Sequence, residues 1–220
     1  EKFAELVQVY HDRGIAVILD GVFGHNGGSV AASPNRKGIK YPGITPDTAN
    51  PVNYASNPNS LKYYSDVASY WITEYDIDGW RFDQCYQVGL GDKGTNCNTG
   101  GHNYWYEIRN AIKEAAASNG TKGQDWGTLG YTVGEHWDGD AGNIQKGSIN
   151  PGSASGYGLR SCFDFPSRYK LVQMFATEES KNIGGTPLTN LDYVYSDFKS
   201  KGYTHPDGYW PNLFLTNHDL

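Results

Sequence analysis

Four short segments of the chain place carboxylates beside groups that would tune them. In Gly79-Trp80-Arg81-Phe82-Asp83 the Arg and the last Asp are two residues apart. On a strand, residues i and i+2 share a face, so Arg81 and Asp83 point the same way. A guanidinium beside a carboxylate stabilises the anion, as a carboxylate nucleophile requires. In Gly134-Glu135-His136-Trp137 a Glu stands near an indole. An apolar wall there would favour the protonated acid by desolvation. Asp20-Gly21-Val22-Phe23-Gly24-His25 and Phe214-Leu215-Thr216-Asn217-His218-Asp219 each add an Asp and a His. Two carboxyl groups of opposite protonation flanking one bond are what retaining glycoside cleavage needs. Taken singly, each segment also has a plainer reading: an ion pair, a loop Glu beside a core Trp, a loop His, or a polar turn after a strand.

The elements that must hold these residues can be read from periodicity. Phe3, Leu6, Val7 and Tyr10 repeat with helical spacing, and Gly14 closes that helix. Ile15 to Leu19 is a continuous apolar run, expected as a strand buried on both faces and ending at Asp20. A long irregular stretch follows, and residues 27–59 are rich in Gly, Pro, Ser and Asn. Loops of that length in a compact domain are usually functional. Leu61, Tyr64, Ala68, Trp71, Ile72 and Tyr75 mark a second helix, and Ile77 to Phe82 a strand that again ends in Asp. Trp105, Ile108, Ile112 and Ala115 mark a third helix, followed by a strand from Tyr131 to Val133. Cys162 to Phe165 reads as a short strand stopped by Pro166, with a helix through Leu171, Val172 and Phe175. A further helix is expected over 188–198 and a last strand over 212–216. The repeated helix-strand order argues for parallel βα units. A barrel and an open doubly wound sheet both satisfy it.

Composition narrows the function classes. The 220 residues carry a net charge of −6 with both signs interspersed, so no basic stripe suggests nucleic acid. No apolar run of membrane-spanning length is present. The chain holds 17 Tyr, 6 Trp and 28 Gly but one Met, a balance that suits stacking on sugar faces. Of three cysteines, Cys97 and Cys162 are expected to pair and Cys85 to be a buried thiol. His11 is expected to be solvated on the first helix, and His102, His136 and His205 do not combine into a metal site. Asn119-Gly120-Thr121 is a glycosylation sequon.

In their order, the four segments resemble the four best-known sequence blocks of the alpha-amylase family of glycoside hydrolases. The resemblance spans nearly the whole chain. It implies a (β/α)8 TIM barrel with retaining chemistry. Asp83 then matches the nucleophile, Glu135 the general acid/base, and Asp219 the carboxylate that stabilises the transition state. Arg81, His25, His218, Asp20 and Trp137 match positions that orient these groups or hold sugar. The intervals, 135 − 83 = 52 and 219 − 135 = 84 residues, fit barrel units of roughly 30 residues each. They place the blocks on strands three, four, five and seven.

The chain departs from the family pattern at Gly24, where the family has Asn, and at Tyr86-Gln87, where it often has Lys-His. The resemblance implies no organic cofactor. It implies a structural calcium ion held in part by that Asn. Gly24 counts against calcium, as do Asn50 and Asn53 where a further acidic ligand would stand, so metal ligands stay unassigned.

The partner expected is an α-glucan, with no nucleic acid and no membrane, and a monomer at full length. The leading expectation is an alpha-amylase cleaving α-1,4 bonds of starch-like glucans, in an extracellular or periplasmic setting. The alternatives are a glucan transferase, a cyclodextrin or pullulan hydrolase, or an α-glucosidase. The Asp-Gly-Val-Phe opening is similar to cyclodextrin-degrading members. A non-catalytic glucan-binding protein on the same barrel is a lesser alternative. The whole chain, 1–220, is expected to be one incomplete barrel domain running from about strand three to strand seven. Residues 27–59 would be an insertion replacing the small domain after strand three.

Overall fold

The computed structural model describes residues 1–25, 39–44, 52–88, 98–99, 102–118, 131–149, 157–175 and 212–219. Helix α1 (Lys2–His11) leads into strand β1 (Ile18–Val22), and helix α2 (Pro58–Tyr75) into β2 (Gly79–Asp83). A small antiparallel pair, β3 (Asn98–Thr99) and β4 (His102–Asn103), precedes helix α3 (Tyr104–Ser118) and strand β5 (Tyr131–Gly134). The short helix α4 (Ala141–Ile144) and a wide turn over Gln145–Ile149 follow, then helix α5 (Phe165–Phe175).

Strands β1, β2 and β5 form a parallel sheet in that order. Two single parallel bridges extend it, Gly134 to Cys162 and Phe163 to Asn212. The spatial order thus follows the chain order throughout, among the described residues. An open doubly wound sheet reverses its order at a switch point; this one does not. One cavity of about 210 Å³ is lined by Asp20 and Arg81 together with Phe163, Asn217 and His218. The first strand and the turn that follows the last described bridge therefore border the same space, as a closing barrel requires.

Alternation on β2 sorts the two faces. Trp80 and Phe82 turn toward the helices, with Phe82 at 4.5 Å from the Trp105 ring of α3. Phe23, just past β1, centres this packing against Tyr64, Trp80 and Phe82 at 5.0, 5.6 and 4.9 Å. The predicted stripes on α2 and α3 hold: Tyr64, Ala68 and Ile72 are buried, as are Trp105, Ile108, Ile112 and Ala115. Asn57 caps α2 by accepting from Asn59 N–H at 3.0 Å, and Pro58 occupies its first turn. The described parts of the 27–59 stretch are packed: Tyr41, Ile44, Val52 and Tyr54 are buried, and Tyr54 donates its hydroxyl to Phe23 O.

Several expectations fail. Strand β1 is not buried on both faces, since Ile15 and Ile18 are exposed, and it runs on to Val22 instead of ending at Asp20. Among the described residues β1 pairs on one side only, with β2, so apolar composition alone does not bury it. Pro166 does not stop a strand. It sits in the first turn of α5, which Asp164 caps by accepting from Ser167 N–H at 3.0 Å. The strand before it shrinks to the bridges at Cys162 and Phe163. The strand expected over 212–216 is likewise a single bridge at Asn212, with Leu213 and Leu215 exposed.

His11 is not solvated. Its Nε2 lies 2.8 Å from buried Asp78, which also accepts from Val17 N–H, so the pair ties α1 to the start of β2. Cys85 is a buried thiol as expected. Cys162 is buried, while Cys97, its expected partner, lies outside the described residues. The helix over 188–198, the sequon at Asn119, Asn50 and His205 also lie outside them.

Candidate active site

Arg81 is the centre of the site. Its side chain is 8% exposed and reaches carboxylates from three strands. Nη1 donates to Asp20 at 2.9 and 3.1 Å and to Asp83 at 2.8 Å. Nη2 lies 2.9 Å from Glu135 Oε1. That contact is off the line of an N–H bond, so Nη2 is ion-paired while still lacking a directed acceptor. The register explains the convergence. Asp20, Arg81 and Val133 pair across the sheet and share a face, with Asp83 and Glu135 one pleat further on. The three negative neighbours raise the Arg81 guanidinium above its usual range, against the opposing effect of burial.

Glu135 is the buried acid, with 3% of its side chain exposed. Burial raises its pKa above the ordinary carboxylate range; the Gln84 N–H bond and Arg81 oppose this, and Asp83 and Asp219 add to it. The chain after β2 clasps it twice. Cys85 N–H donates to the Glu135 carbonyl at 2.8 Å, and Gln84 N–H to its Oε2 at 3.1 Å. Gln84 makes this possible by adopting a left-handed conformation, φ 41°, unusual for a side-chain-bearing residue. Gly134 is required here: a Cβ would stand 2.6 Å from Cys85 Sγ and 2.5 Å from Leu159 Cδ1. Behind it, Cys85 Sγ, Ser148 Oγ and His136 Nδ1 form a buried chain with steps of 3.2 and 3.1 Å. Burial lowers the His136 pKa to about 4.

Trp137 does not wall Glu135 as expected. It is 43% exposed, and its ring stacks on Phe165 at 5.0 Å. Strand β5 ends at Gly134, so the i, i+2 rule no longer aims Trp137 at the Glu135 side. The raised acid was anticipated, but its cause is the burial of the carboxylate itself.

His25 and Gln87 meet at the mouth of β1, His25 Nδ1 lying 2.5 Å from Gln87 Oε1. Gly24 fits this contact, because a Cβ there would stand 2.4 Å from Gln87 Cβ. The two departures from the family pattern are therefore one packed pair. Gly24 offers no side-chain donor for calcium, and Gln87 fills the space a longer residue would need. Asn53 is committed to Ser60 and to Gly43 O. Among the described residues, no group of three or more His, Cys, Asp or Glu could hold a metal ion.

His218 and Asp219 are the loosest members. Their side chains are 67% and 42% exposed, and His218 Nε2 lies 3.2 Å from Asp219. Asn217 orders the turn by accepting from Asp219 N–H at 3.0 Å. Thus the structure joins Asp20, Arg81, Asp83 and Glu135 directly, brings His218 to the same cavity, and leaves Asp219 coupled to Glu135 through charge alone. Sequence reasoning missed Gln84 and Ser148, and marked Gln87 only as a departure from the family pattern. The sequence offers no signal for a left-handed Gln84, and Ser148 reaches Cys85 across 63 residues.

Comparison with known proteins identifies the family. Residues 48–220 match the family description "Alpha amylase, catalytic domain". The chain belongs to the alpha-amylase family of glycoside hydrolases, whose fold is the TIM barrel. It is 33% identical over 150 residues to a cyclomaltodextrinase of Thermoanaerobacter pseudethanolicus, covering 57% of this chain and 24% of that protein. It is 31% identical over 149 residues to an intracellular maltogenic amylase of Bacillus subtilis, covering 57% and 23%. A crystal structure of AmyP in complex with maltose matches with a TM-score of 0.71 and 34% identity, over 98% of this chain and 38% of that one. The chain thus spans about a quarter of the length of these curated relatives.

Proposed function

We propose that this chain carries the catalytic centre of a retaining glycosidase that opens α-1,4-glucosidic bonds in cyclic or short maltodextrins. It would form the third to seventh strands of a longer barrel. The observation that carries the reading is the single buried Arg81 shared by Asp83 and Glu135, with Glu135 raised by burial. Asp83 then attacks the anomeric carbon as Glu135 protonates the departing glycosidic oxygen. Water next cleaves the glycosyl ester while Glu135 takes its proton. Asp219 stabilises the developing positive charge, Arg81 and Asp20 hold the nucleophile, and His25, His218 and Trp137 contact sugar. Gly24 and Gln87 supply no calcium ligand set, so no step is assigned to a metal ion.

The names of the similar proteins, cyclomaltodextrinase, maltogenic amylase and neopullulanase, favour small or cyclic glucans over an endo-acting alpha-amylase. One of those relatives is named as intracellular, so they lend no support to an extracellular or periplasmic setting. The test is product analysis with the full-length enzyme on β-cyclodextrin, soluble starch and pullulan. Faster turnover of the cyclodextrin, with α-anomeric products by proton NMR, is expected. Faster turnover of starch would return the reading to an endo-amylase, and β-anomeric products would sink the retaining mechanism.

A further inference from the structure

The residues after β2 form a side-chain chain that leads to His25. Gln87 Nε2 donates to Gln84 Oε1 at 2.7 Å, and Tyr86 OH donates to the same oxygen at 3.2 Å. Gln87 then presents its own Oε1 to His25 Nδ1. The polarities along this chain are locked together, because an amide that donates at one end must accept at the other. Tyr86 sets the direction. A phenol is a stronger donor than acceptor, its oxygen lone pair being shared with the ring, so Gln84 turns its oxygen to it. Gln87 must then donate to Gln84 and accept from His25.

We propose that Gln87, oriented by Gln84 and Tyr86, is a positioning residue that fixes the His25 ring with its proton on Nδ1. His25 Nε2 is left as an acceptor, suited to a sugar hydroxyl that donates to it. Free imidazole side chains favour the other tautomer, so the protein must select this one. Gly24 belongs to the same device. A Cβ at that position would stand 2.4 Å from Gln87 Cβ and 3.1 Å from its Oε1, displacing the acceptor from the ring. The substitutions at Gly24 and Gln87 thus replace one arrangement at the mouth of β1 with another that needs both. The role of the sugar hydroxyl rests on the glycosidase reading above; the tautomer does not.

The test is long-range 1H–15N NMR of the full-length enzyme labelled with 15N-histidine, recorded without glucan, with the His25 signal identified by its loss in His25→Asn. The wild type is expected to show a protonated Nδ1 and an unprotonated Nε2. Gln87→Leu and Gly24→Ala should both shift the signal toward the Nε2-protonated form, whereas Gln87→Glu, which keeps an acceptor, should hold Nδ1 protonated. KM for maltotriose should rise about 3- to 10-fold in Gln87→Leu, with a smaller change in kcat. A wild-type His25 protonated on Nε2 overturns the inference, as does a Gln87→Leu spectrum unchanged from wild type. If Gln87→Leu does not fold, the wild-type and Gln87→Glu spectra still decide it. An enzyme that leaves every glucan intact would break the assigned activity while these spectra judge the tautomer separately.

Discussion

The carboxylates at the ends of β2 and β5 and the one at Asp219 are held by different means. Asp83 and Glu135 share a guanidinium that is 8% exposed, and the chain around Gln84 and Cys85 grips Glu135 at backbone and side chain. Asp219 follows a single bridge at Asn212, is 42% exposed, and has an exposed His218 3.2 Å away. The first pair is built by strand register. The third carboxylate is placed by a turn. On the proposed reading the two groups that make and break bonds have the fixed geometry they need, while Asp219 depends on the turn that Asn217 orders.

The largest test of this contrast removes the gripped acid. Glu135→Gln should lower kcat of the full-length enzyme by about a thousandfold or more, since general acid catalysis contributes on the order of 10²–10⁴. Asp83→Asn should do likewise, with glucan binding retained by calorimetry. Asp219→Asn should leave the fold untouched. A turnover number near wild type in either of the first two would remove the catalytic assignment.

Glu135→Gln also has a stability signature. A carboxyl raised in the folded state costs stability above its unfolded pKa and costs nothing below it. The variant should therefore gain more in Tm at pH 7 than at pH 4, and an equal gain at both would contradict the burial argument. Arg81→Met comes next. It strands Glu135 without a partner, and breaking a buried pair costs on the order of 3 kcal/mol. Urea unfolding should show that loss, while Asp20→Asn, whose side chain is 56% exposed, should show far less.

His136 sharpens the comparison from the acid side. Its pKa is lowered to about 4 in the folded state, against an ordinary value of 6.5. The unfolded chain binds the extra proton between those values, so stability falls as pH drops from 6.5 toward 4. The loss amounts to roughly 3 kcal/mol by pH 4. His136→Asn should flatten the Tm profile across that window. The smallest effect is expected of Trp137→Ala, which loses its stacking on Phe165 and with it about 1 kcal/mol. If its pH–rate profile shifted by a full unit, Trp137 would prove to tune Glu135 after all.

The sequence was most readable where periodicity and packing coincide. The stripes of α2 and α3 and the Arg81–Asp83 face follow from spacing alone. Legibility failed where a partner lies far along the chain. His11 meets Asp78 67 residues away, and Glu135 meets Gln84 51 residues away. It failed again where an element ends: β5 stops at Gly134, short of Trp137, and Pro166 opens a helix instead of closing a strand. Ile18 shows a third limit, since an apolar strand is buried only if something covers it. Three of the four expected site segments nonetheless meet at one guanidinium, because parallel register aligns strand ends without any contact being encoded locally, and the fourth reaches the same cavity through Asn217 and His218.

The wedge of Cys85 against Gly134 has a use of its own. The thiol is fully covered, and its backbone N–H holds the Glu135 carbonyl. No reagent can reach the sulfur until the packing of the Cys85 turn against Gly134 and Ser148 opens. The rate at which Cys85 is alkylated under native conditions, read as the difference from Cys85→Ser, is then a clock for how often the acid's own seat comes apart.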